Sequence, residues 1–414
     1  MLQLVQNPTV QLSAYDNLVS KELLEEIEQI SSSLKGLRVF HVNATPRGGG
    51  VAEILKSMVP LMNDVGLKAD WYTIPPSSSF FDVTKKMHNA LQGGDYKFPF
   101  EDRKEYMFHM AKTAELMRDM KPDIWLIHDP QPAGVVQFLP NFYPAISHIH
   151  IDLTSPNREV WEFMTGFLEC YDKVVLSSED FIKKEIKEKV VIFSPALNVL
   201  NFKNNPLPLK EAKEILRNFD INPEKPLMTQ VSRFDPWKDP LGVIDAYYLA
   251  RKKIPDLQLA MVGLIEAKDD PEAKLVYEKV KEKAANDPNI FLFADPGRLG
   301  NLEVDVFVNA MQVASDVILQ KSIREGFGMT VCEAMWKQKP VIGGNVGGIK
   351  LQIKDGLNGF LISSSSEAAE RTVQLIQNPL LAQKMGQEAK KSVGENFLML
   401  RLLRDYLKLF KEII

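Results

Sequence analysis

Two glutamates, Glu325 and Glu333, stand on either side of a glycine-rich turn in the segment Arg324–Ala334. Carboxylates suit sugar hydroxyls because they accept hydrogen bonds, and the helix predicted after the turn presents free N–H groups to an anion. We therefore predict that Glu325 faces a sugar and that Glu333 holds a ribose. The equal alternative is that Glu333 complements the helix dipole and Glu325 is a solvated loop residue. Four residues of the turn are further candidates for ligand binding: Gly326, Phe327, Gly328 and Met329.

Two cations, Arg233 and Lys238, lie in a short loop that follows the predicted strand Met228–Val231. Fixed cations lower the barrier of a reaction in which a diphosphate leaves, because they stabilise the charge that develops on it. Arginine can bind two phosphate oxygens at once, whereas lysine acts as a point charge. The alternative, which the loop taken alone favours, is a set of surface ion pairs with Asp235 and Asp239.

Glycines mark two more candidate ligand-binding turns. The turn Gly48–Gly50 joins the first predicted strand to a helix, and its Gly48 and Gly49 would let a phosphate or substrate approach the backbone. This turn matches neither the G-x-G-x-x-G dinucleotide pattern nor a P-loop. The turn Gly343–Ile349 follows a later strand, and Gly348 is its candidate contact to a ligand. The alternative for Gly48–Gly50 is a flexible loop, and the alternative for Gly343–Ile349 is a tight connection between a strand and a helix.

Three polar residues follow two predicted strands in the first half of the chain. Asp129 comes just after the strand Ile124–Ile127, and His150 and Asp152 lie on and after the strand Ile146–Ile151. Ligands of parallel α/β sheets bind at the carboxyl ends of the strands. Asp129, His150 and Asp152 are therefore candidates for substrate contact, although the default for a single histidine is a buried ring with satisfied hydrogen bonds.

All six histidines lie in the first part of the chain, from His41 to His150. Along a strand, His148 and His150 would point to the same face of the sheet. Histidine and aspartate are metal ligands, but none of the established metal-binding spacings is present. We therefore predict a polar cluster that lines a ligand site, and no metal centre.

The elements that would position these residues alternate between short apolar strands and helices. Continuous apolar runs are typical of a parallel sheet that is covered on both faces, and the alternation predicts βαβ units with right-handed crossovers. Further predicted strands are Leu37–Val42, Lys173–Leu176, Leu257–Val262, Ile290–Phe293, Asp316–Leu319 and Lys339–Ile342. The predicted helices include Ala52–Val65, Arg103–Met120, Gly242–Lys253, Pro271–Ala285 and Ala368–Gln377.

The Asn- and Pro-rich segment Asn198–Leu209 separates two series of strands and is the predicted domain boundary. The fold class is therefore α/β, with two Rossmann-like, doubly wound domains that face a common cleft. We place the first domain at 1–205 and the second at 206–394. The apolar face of the last helix, 395–414, indicates packing against one of the domains.

Composition excludes some functions. The chain of 414 residues has a net charge of −4, which gives no general electrostatic footprint for nucleic acid or for an anionic membrane. No apolar run reaches the ~18–20 residues that cross a bilayer, and the first residues carry no signal-peptide pattern. Two cysteines, Cys170 and Cys332, form neither a disulfide framework nor a zinc site. We therefore expect a cytoplasmic protein with no nucleic-acid or membrane partner.

The segment Arg324–Ala334 resembles the signature of the glycogen-synthase-like retaining glycosyltransferases of group 1, in which seven residues separate two glutamates. That family has the GT-B fold of two Rossmann-like domains, and the resemblance extends from Leu37 to the final helix, which in the family crosses back to the first domain. Other positions also match the family. Arg233 and Lys238 correspond to the cations that bind the donor diphosphate in the family, and His150 corresponds to its histidine near the transferred hexose. Gly347–Ile349 corresponds to the family's donor loop, and Gly48–Gly50 corresponds to its glycine turn.

The finer resemblance is to the archaeal-type trehalose synthases. It is carried by four segments, in which Asp129 stands where related enzymes hold the acceptor sugar: Phe40–Glu53, His128–Gly134, His150–Asn157 and Val231–Tyr247. The resemblance implies transfer of glucose from a nucleoside diphosphate glucose, such as ADP-glucose or UDP-glucose, to free glucose, with α,α-trehalose as the product. It implies retention without a covalent enzyme intermediate.

The resemblance implies no tightly bound cofactor, and any Mg²⁺ would accompany the nucleotide. The direction of the reaction is left open, and a homodimer is among the expected assemblies. One alternative is another retaining hexosyltransferase of the same fold, such as a sucrose-type synthase or a lipid-linked mannosyltransferase. A second is a sugar-nucleotide-binding protein without enzymatic activity, against which the complete set of carboxylates and cations argues. A nicotinamide dehydrogenase is disfavoured because the first strand is not followed by G-x-G-x-x-G.

Overall fold

The computed structural model describes residues 2–47, 50–140, 142–264 and 271–414, without the side chains of residues 271 and 272. Its contacts divide the chain into two compact units. Unit 1 is Met1–Asn198 together with Phe397–Ile414, and unit 2 is Val199–Asn396.

The segment that follows Asn198 packs with unit 2. The side-chain amide of Asn309 donates to the carbonyl oxygens of Phe202 and Asn205, at 3.1 and 2.9 Å. Lys337 Nζ donates to Asn204 Oδ1 at 2.8 Å. The structure divides the chain after Asn198, whereas the sequence-based division falls after residue 205. The residues between these two positions lie in unit 2 because their polar groups form hydrogen bonds there.

Unit 1 contains a seven-stranded sheet in the order β1-β3-β2-β4-β5-β6-β7 among the described residues. Of the strands that the structure describes in this sheet, only β1 is antiparallel to its neighbour. Its strands are β1 (Gln3–Leu4), β2 (Arg38–Asn43), β3 (Lys68–Thr73), β4 (Ile124–His128), β5 (Ala145–His148), β6 (Lys173–Leu176) and β7 (Val190–Ile192). Its helices before the linker are α1 (Lys21–Ser32), α2 (Gly50–Asp64), α3 (Ser78–Leu91), α4 (Phe100–Met117), α5 (Pro130–Ala133) and α6 (Arg158–Leu168).

Unit 2 contains a six-stranded, wholly parallel sheet in the order β10-β9-β8-β11-β12-β13, again counted over the described ranges. Its strands are β8 (Leu227–Val231), β9 (Gln258–Val262), β10 (Ile290–Phe293), β11 (Val317–Gln320), β12 (Val341–Gly344) and β13 (Phe360–Ile362). Its helices are α7 (Leu209–Arg217), α8 (Pro240–Arg251), α9 (Pro271–Ala284), α10 (Val304–Ala314), α11 (Met329–Trp336), α12 (Ile349–Gln352), α13 (Ser365–Gln377) and α14 (Pro379–Asn396).

Alternation along the strands of unit 2 builds one apolar core on each face of the sheet. Met228, Leu259 and Met261 pack in one core. The second core contains the strand residues Leu227, Val231, Ala260 and Val262. Successive side chains of a strand point to opposite faces, so a central strand that is covered on both sides is mostly apolar, and β8 is apolar apart from Thr229 and Gln230. This confirms the predicted fold class of two Rossmann-like α/β domains.

The last helix, α15 (Met399–Ile413), belongs to unit 1. It packs against α1 and α2, and buries one apolar stripe that includes Leu403, Leu407 and Phe410. Leu197 N donates to Phe397 O at 2.7 Å, which joins the end of unit 1 before the linker to the start of this helix. Over the residues that the structure describes, no helix is long and apolar enough to cross a membrane.

Candidate active site

The candidate residues of unit 2 follow the two central strands of its sheet. With β8 as the first strand, the order reads 3-2-1-4-5-6, so the chain reverses direction across the sheet between β8 and β11. Ligands of such sheets bind outside the carboxyl ends of the strands at this switch point. Arg233 and Lys238 follow β8, and Glu325 follows β11, so sequence-predicted residues from both loops lie where a ligand is expected.

Backbone and side-chain hydrogen bonds tie these two loops together. Ile323 N donates to Trp237 O at 2.8 Å. Gln230, at the end of β8, donates through Nε2 to Lys238 O at 3.2 Å and accepts from Lys321 N through Oε1 at 3.0 Å. Lys321 also forms an ion pair with Asp239, which caps α8. The loops are therefore fixed to each other rather than independently placed.

Lys238 and Glu325 form an ion pair at the centre of this site. Lys238 Nζ lies 2.5 Å from Glu325 Oε2, and the side chains are only 17% and 11% exposed. Ser322 Oγ donates to the same carboxylate oxygen at 3.1 Å. Lysine has three N–H donors, so an ammonium that is oriented by one carboxylate keeps donors for a second acceptor.

Arg233 behaves differently from Lys238. Its guanidinium pairs with Asp235 at 3.1 Å, and its side chain is 61% exposed. The surface ion pair that the sequence offered as an alternative is therefore present at Arg233. It is absent at Lys238, since Asp239 pairs with Lys321 instead.

Close backbone packing explains the glycines at Gly348 and in the turn Gly326–Met329. Gly348 N donates to Glu325 O at 3.0 Å. A Cβ atom at Gly348 would lie 2.2 Å from Phe327 Cα and 2.4 Å from Gly326 O, so no larger residue fits without a shift of backbone. Gly328 has φ +86°, a conformation that favours glycine, and α11 begins at the next residue, Met329. Gly348 and the turn Gly326–Met329 thus form one packed structure.

Glu333 lies on α11 and is almost fully covered. It is 1% exposed, its Oε1 lies 3.6 Å from Lys203 Nζ, and its Oε2 has no hydrogen-bond partner among the described residues. Lys337 donates to Glu333 O at 3.4 Å, and burial lowers the pKa of this lysine to about 8. A buried carboxylate oxygen without a partner is costly, and this leaves Glu333 able to accept a hydrogen bond from a ligand.

The candidate residues of unit 1 follow β4 and β5, which are neighbouring strands. His128 Nδ1 lies 3.0 Å from His150 Nε2, and His128 Nε2 lies 3.1 Å from His41 Nδ1. The prediction that β5 reaches Ile151 is wrong, because the strand ends at His148. The rings of His148 and His150 nevertheless stack, with centroids 3.8 Å apart.

Burial keeps these imidazoles neutral. It lowers the pKa of His41 and of His150 to about 3. The pKa values of His128 and His148 are held well below 6.5 by burial first and by neighbouring imidazoles second. Ligand nitrogens of His128, His148 and His150 lie within 4.8 Å of one another, but both nitrogens of His128 already have ring partners. The absence of a metal centre stays a prediction.

The two candidate aspartates of unit 1, Asp129 and Asp152, differ in their surroundings. Asp129 has φ +68° and accepts from His150 N at 2.8 Å. It keeps some surface exposed, while burial of its carboxyl raises its pKa to about 7. Asp152 is buried and accepts from Thr154 N at 2.7 Å. Gly48 and Gly49 lie outside the described residues.

Four residues that the sequence analysis did not select hold the candidate residues in place through hydrogen bonds and ion pairs. They are Gln230, Ser322, Lys321 and Lys203. One signal was available for Gln230, because a polar side chain near the end of a buried central strand must find hydrogen-bond partners. The others became recognisable only through contacts between segments distant in sequence.

Comparison with known proteins identifies the family to which the chain belongs. The family model for the N-terminal domain of trehalose synthase matches residues 41–183, and the model for glycosyl transferases group 1 matches residues 211–392. The chain is 45% identical to the trehalose synthase of Thermococcus litoralis over 96% of each chain. It is 41% identical to that of Rubrobacter xylanophilus over 100% of each chain. A sucrose-phosphate synthase from Thermosynechococcus elongatus has a TM-score of 0.70 at 15% identity, covering 91% of this chain and 98% of its own.

The low-identity structural match shows the fold alone, which is the GT-B fold. Together with the group 1 family model, it defines the protein as a glycosyltransferase. Because the sequence relatives are more than 40% identical over nearly the whole chain, the chain belongs to the trehalose synthase family.

Proposed function

We propose that this protein transfers glucose from a nucleoside diphosphate glucose, ADP-glucose or UDP-glucose, to the anomeric hydroxyl of free glucose. The products are α,α-trehalose and the nucleoside diphosphate, and configuration at the donor carbon is retained. The proposal rests on the largely covered Lys238–Glu325 pair at the switch point of unit 2, in a chain that is 45% identical to a trehalose synthase.

In the proposed reaction, the bond between the glucose C1 and the diphosphate oxygen breaks as the acceptor hydroxyl oxygen bonds to C1. The hydroxyl proton goes to a phosphate oxygen of the leaving group. Lys238 and Arg233 stabilise the charge that develops on the diphosphate. Lys238 keeps Glu325 as one partner and donates to phosphate through its remaining N–H groups, and Glu325 in turn orients the transferred glucose.

The donor nucleotide is assigned to α11 and the turns beside it. Glu333 accepts from the ribose, and this assignment is supported by the lack of a hydrogen-bond partner for Oε2 among the described residues. The backbone of Gly326–Met329 and of Gly348 contacts the donor, as do Gly48 and Gly49. In unit 1, His150 contacts the transferred hexose, and Asp129 and Asp152 are assigned to the acceptor. No tightly bound cofactor takes part, and Mg²⁺ enters only with the nucleotide.

The test is incubation of the purified protein with several nucleoside diphosphate glucoses, each with and without glucose, followed by chromatography of sugars and nucleotides. We expect trehalose and an equal amount of nucleoside diphosphate only when donor and glucose are both present. Parallel reactions with fructose and with a lipid-phosphate acceptor examine the related hexosyltransferases. Donor binding without release of nucleoside diphosphate in any reaction would refute the proposal and favour a binding protein.

A further inference from the structure

Three histidines of unit 1 form a continuous hydrogen-bonded chain across neighbouring strands. His41 lies on β2, His128 on β4, and His150 two residues beyond β5. The contacts His150 Nε2 to His128 Nδ1 and His128 Nε2 to His41 Nδ1 are 3.0 and 3.1 Å long. This chain of hydrogen bonds ends at Met62, whose Sδ lies 3.4 Å from His41 Nε2.

The methionine at the end gives this chain a direction. A thioether accepts hydrogen bonds but cannot donate them, and a neutral imidazole has one donor and one acceptor nitrogen. His41 therefore carries its proton on Nε2, which leaves its Nδ1 as an acceptor for His128 Nε2–H. By the same reasoning His128 Nδ1 accepts from His150 Nε2–H. The reverse direction would place a nitrogen lone pair of His41 against the sulfur lone pairs of Met62.

We propose that Met62, His41 and His128 hold His150 as its Nε2–H tautomer, so that its Nδ1 can only accept a hydrogen bond. His41 and His128 are then positioning residues, which act on the substrate through His150. The inference deepens the proposed function, because a ring that only accepts selects a sugar hydroxyl that donates.

The surroundings of the rings agree with this assignment. His41 and His128 are fully buried, and burial lowers the pKa values of all three rings far below neutrality. At pH 7 each ring is therefore neutral and each junction needs one donor and one acceptor. His148 stands outside the chain, since its Nδ1 contacts the Tyr406 hydroxyl at 2.5 Å.

The direct test is ¹⁵N NMR of the full chain labelled at histidine, at pH 7 and without substrates. The six histidines are assigned by single substitution. We expect His41, His128 and His150 each to show a protonated Nε2 and an unprotonated Nδ1. A proton on Nδ1 of any of these three rings overturns the proposal. Because no substrate is present, this result is independent of whether the proposed reaction occurs.

A substitution at the far end tests whether the direction is transmitted. Met62→Leu conserves volume but removes the acceptor that His41 Nε2 has among the described residues. We expect both tautomers at His150, and a fall in kcat/KM of about twofold if half of the molecules hold the wrong one. Met164→Leu, at another buried methionine of unit 1, is the matched control. An unchanged His150 tautomer in Met62→Leu would contradict the role of Met62.

A pair of substitutions at His128 separates positioning from simple packing. His128→Asn keeps an amide oxygen near the position of Nδ1, where it can accept from His150, whereas His128→Gln places its amide near Nε2, toward His41. We expect His150 to keep the Nε2–H tautomer in the asparagine variant and to lose it in the glutamine variant. Equal tautomer populations in two folded variants would overturn the positioning role.

Discussion

Lys238 Nζ donates to Glu325 Oε2 over 2.5 Å, although 87 positions separate the two residues in the chain. The pair exists because β8 and β11 are neighbours in the sheet and because Gln230 and Trp237 join the loops that follow them. A mostly buried ammonium held by one carboxylate is preorganised, and preorganised charge stabilises a developing anion more than mobile charge does.

Lys238→Ala should lower kcat by ~10²-fold or more, the scale for loss of one preorganised group in an active site. The measurement is steady-state kinetics of nucleoside diphosphate release. Lys283→Ala is the matched control, since Lys283 pairs with Asp245 at 2.6 Å in the same unit but outside the site, and its kcat should be unchanged. Near-normal turnover of a folded Lys238→Ala variant would remove the electrostatic role.

Glu333→Gln should weaken nucleoside diphosphate binding by ~10–100-fold and change kcat less. The reason is that a hydrogen bond to a charged group contributes about 1.5–3 kcal/mol, and about 1.4 kcal/mol corresponds to tenfold. Calorimetric titration measures the affinity. Asp305→Asn is the control, because Asp305 also faces Lys203, at 3.8 Å, and it has no proposed ligand contact. Equal losses in the two variants would show that Lys203, not the ribose contact, is responsible.

Gly348→Ala should lower kcat/KM and the free energy of unfolding, the latter by ~1–3 kcal/mol as for overpacked sites. The added methyl group would overlap Phe327 Cα at 2.2 Å and push the turn away from Glu325. Gly166→Ala on α6 is the control, because no atom lies within 4 Å of its added Cβ, and alanine favours a helix by about 0.5–1 kcal/mol. Denaturant unfolding should show a loss of stability in Gly348→Ala and a gain in Gly166→Ala, and kcat/KM should fall only in Gly348→Ala. A Gly348→Ala protein with native values of both quantities would contradict the packing argument.

Asp129→Asn should become more stable relative to the native protein as pH rises from 5 to 8. The ordinary pKa of aspartate is 3.8, and burial raises that of Asp129 to about 7. Between these values the folded chain binds a proton that the unfolded chain releases, so this carboxyl stabilises the fold less as pH rises. The expected change is about 2.5–3 kcal/mol, measured by denaturant unfolding at both pH values. If the difference in free energy of unfolding between Asp129→Asn and the native protein is the same at pH 5 and pH 8, the prediction is wrong.

The arrangement of strands and helices was largely predictable, because apolar runs of the right length define buried parallel strands. Lys173–Leu176 has the predicted bounds. The strand β3 was missed because Lys68 and Asp70 interrupt its apolar pattern. Helix α13 begins earlier than predicted, at Ser365, because the Ser364 side chain accepts from Glu367 N and caps it.

The candidate site was predictable only in part. Gly348 and Glu325 could be selected from motifs, but the motifs do not reveal that Lys238 pairs with Glu325. That pairing depends on strand order, which places the ends of β8 and β11 side by side. The direction of the histidine chain was equally inaccessible, because it requires Met62 of α2 to lie against His41 of β2.

The segment that joins the two units supplies Lys203, whose ammonium faces the Glu333 carboxylate. Lys203 lies against Oε1, whereas Oε2 has no hydrogen-bond partner among the described residues, so a ligand hydroxyl can bind Oε2 while the cation stays in place. The connecting peptide therefore supplies a positive charge beside the carboxylate to which we assign the ribose. Ligand binding at Glu333 and the conformation of this peptide are then linked equilibria, in which each changes the other by the same factor.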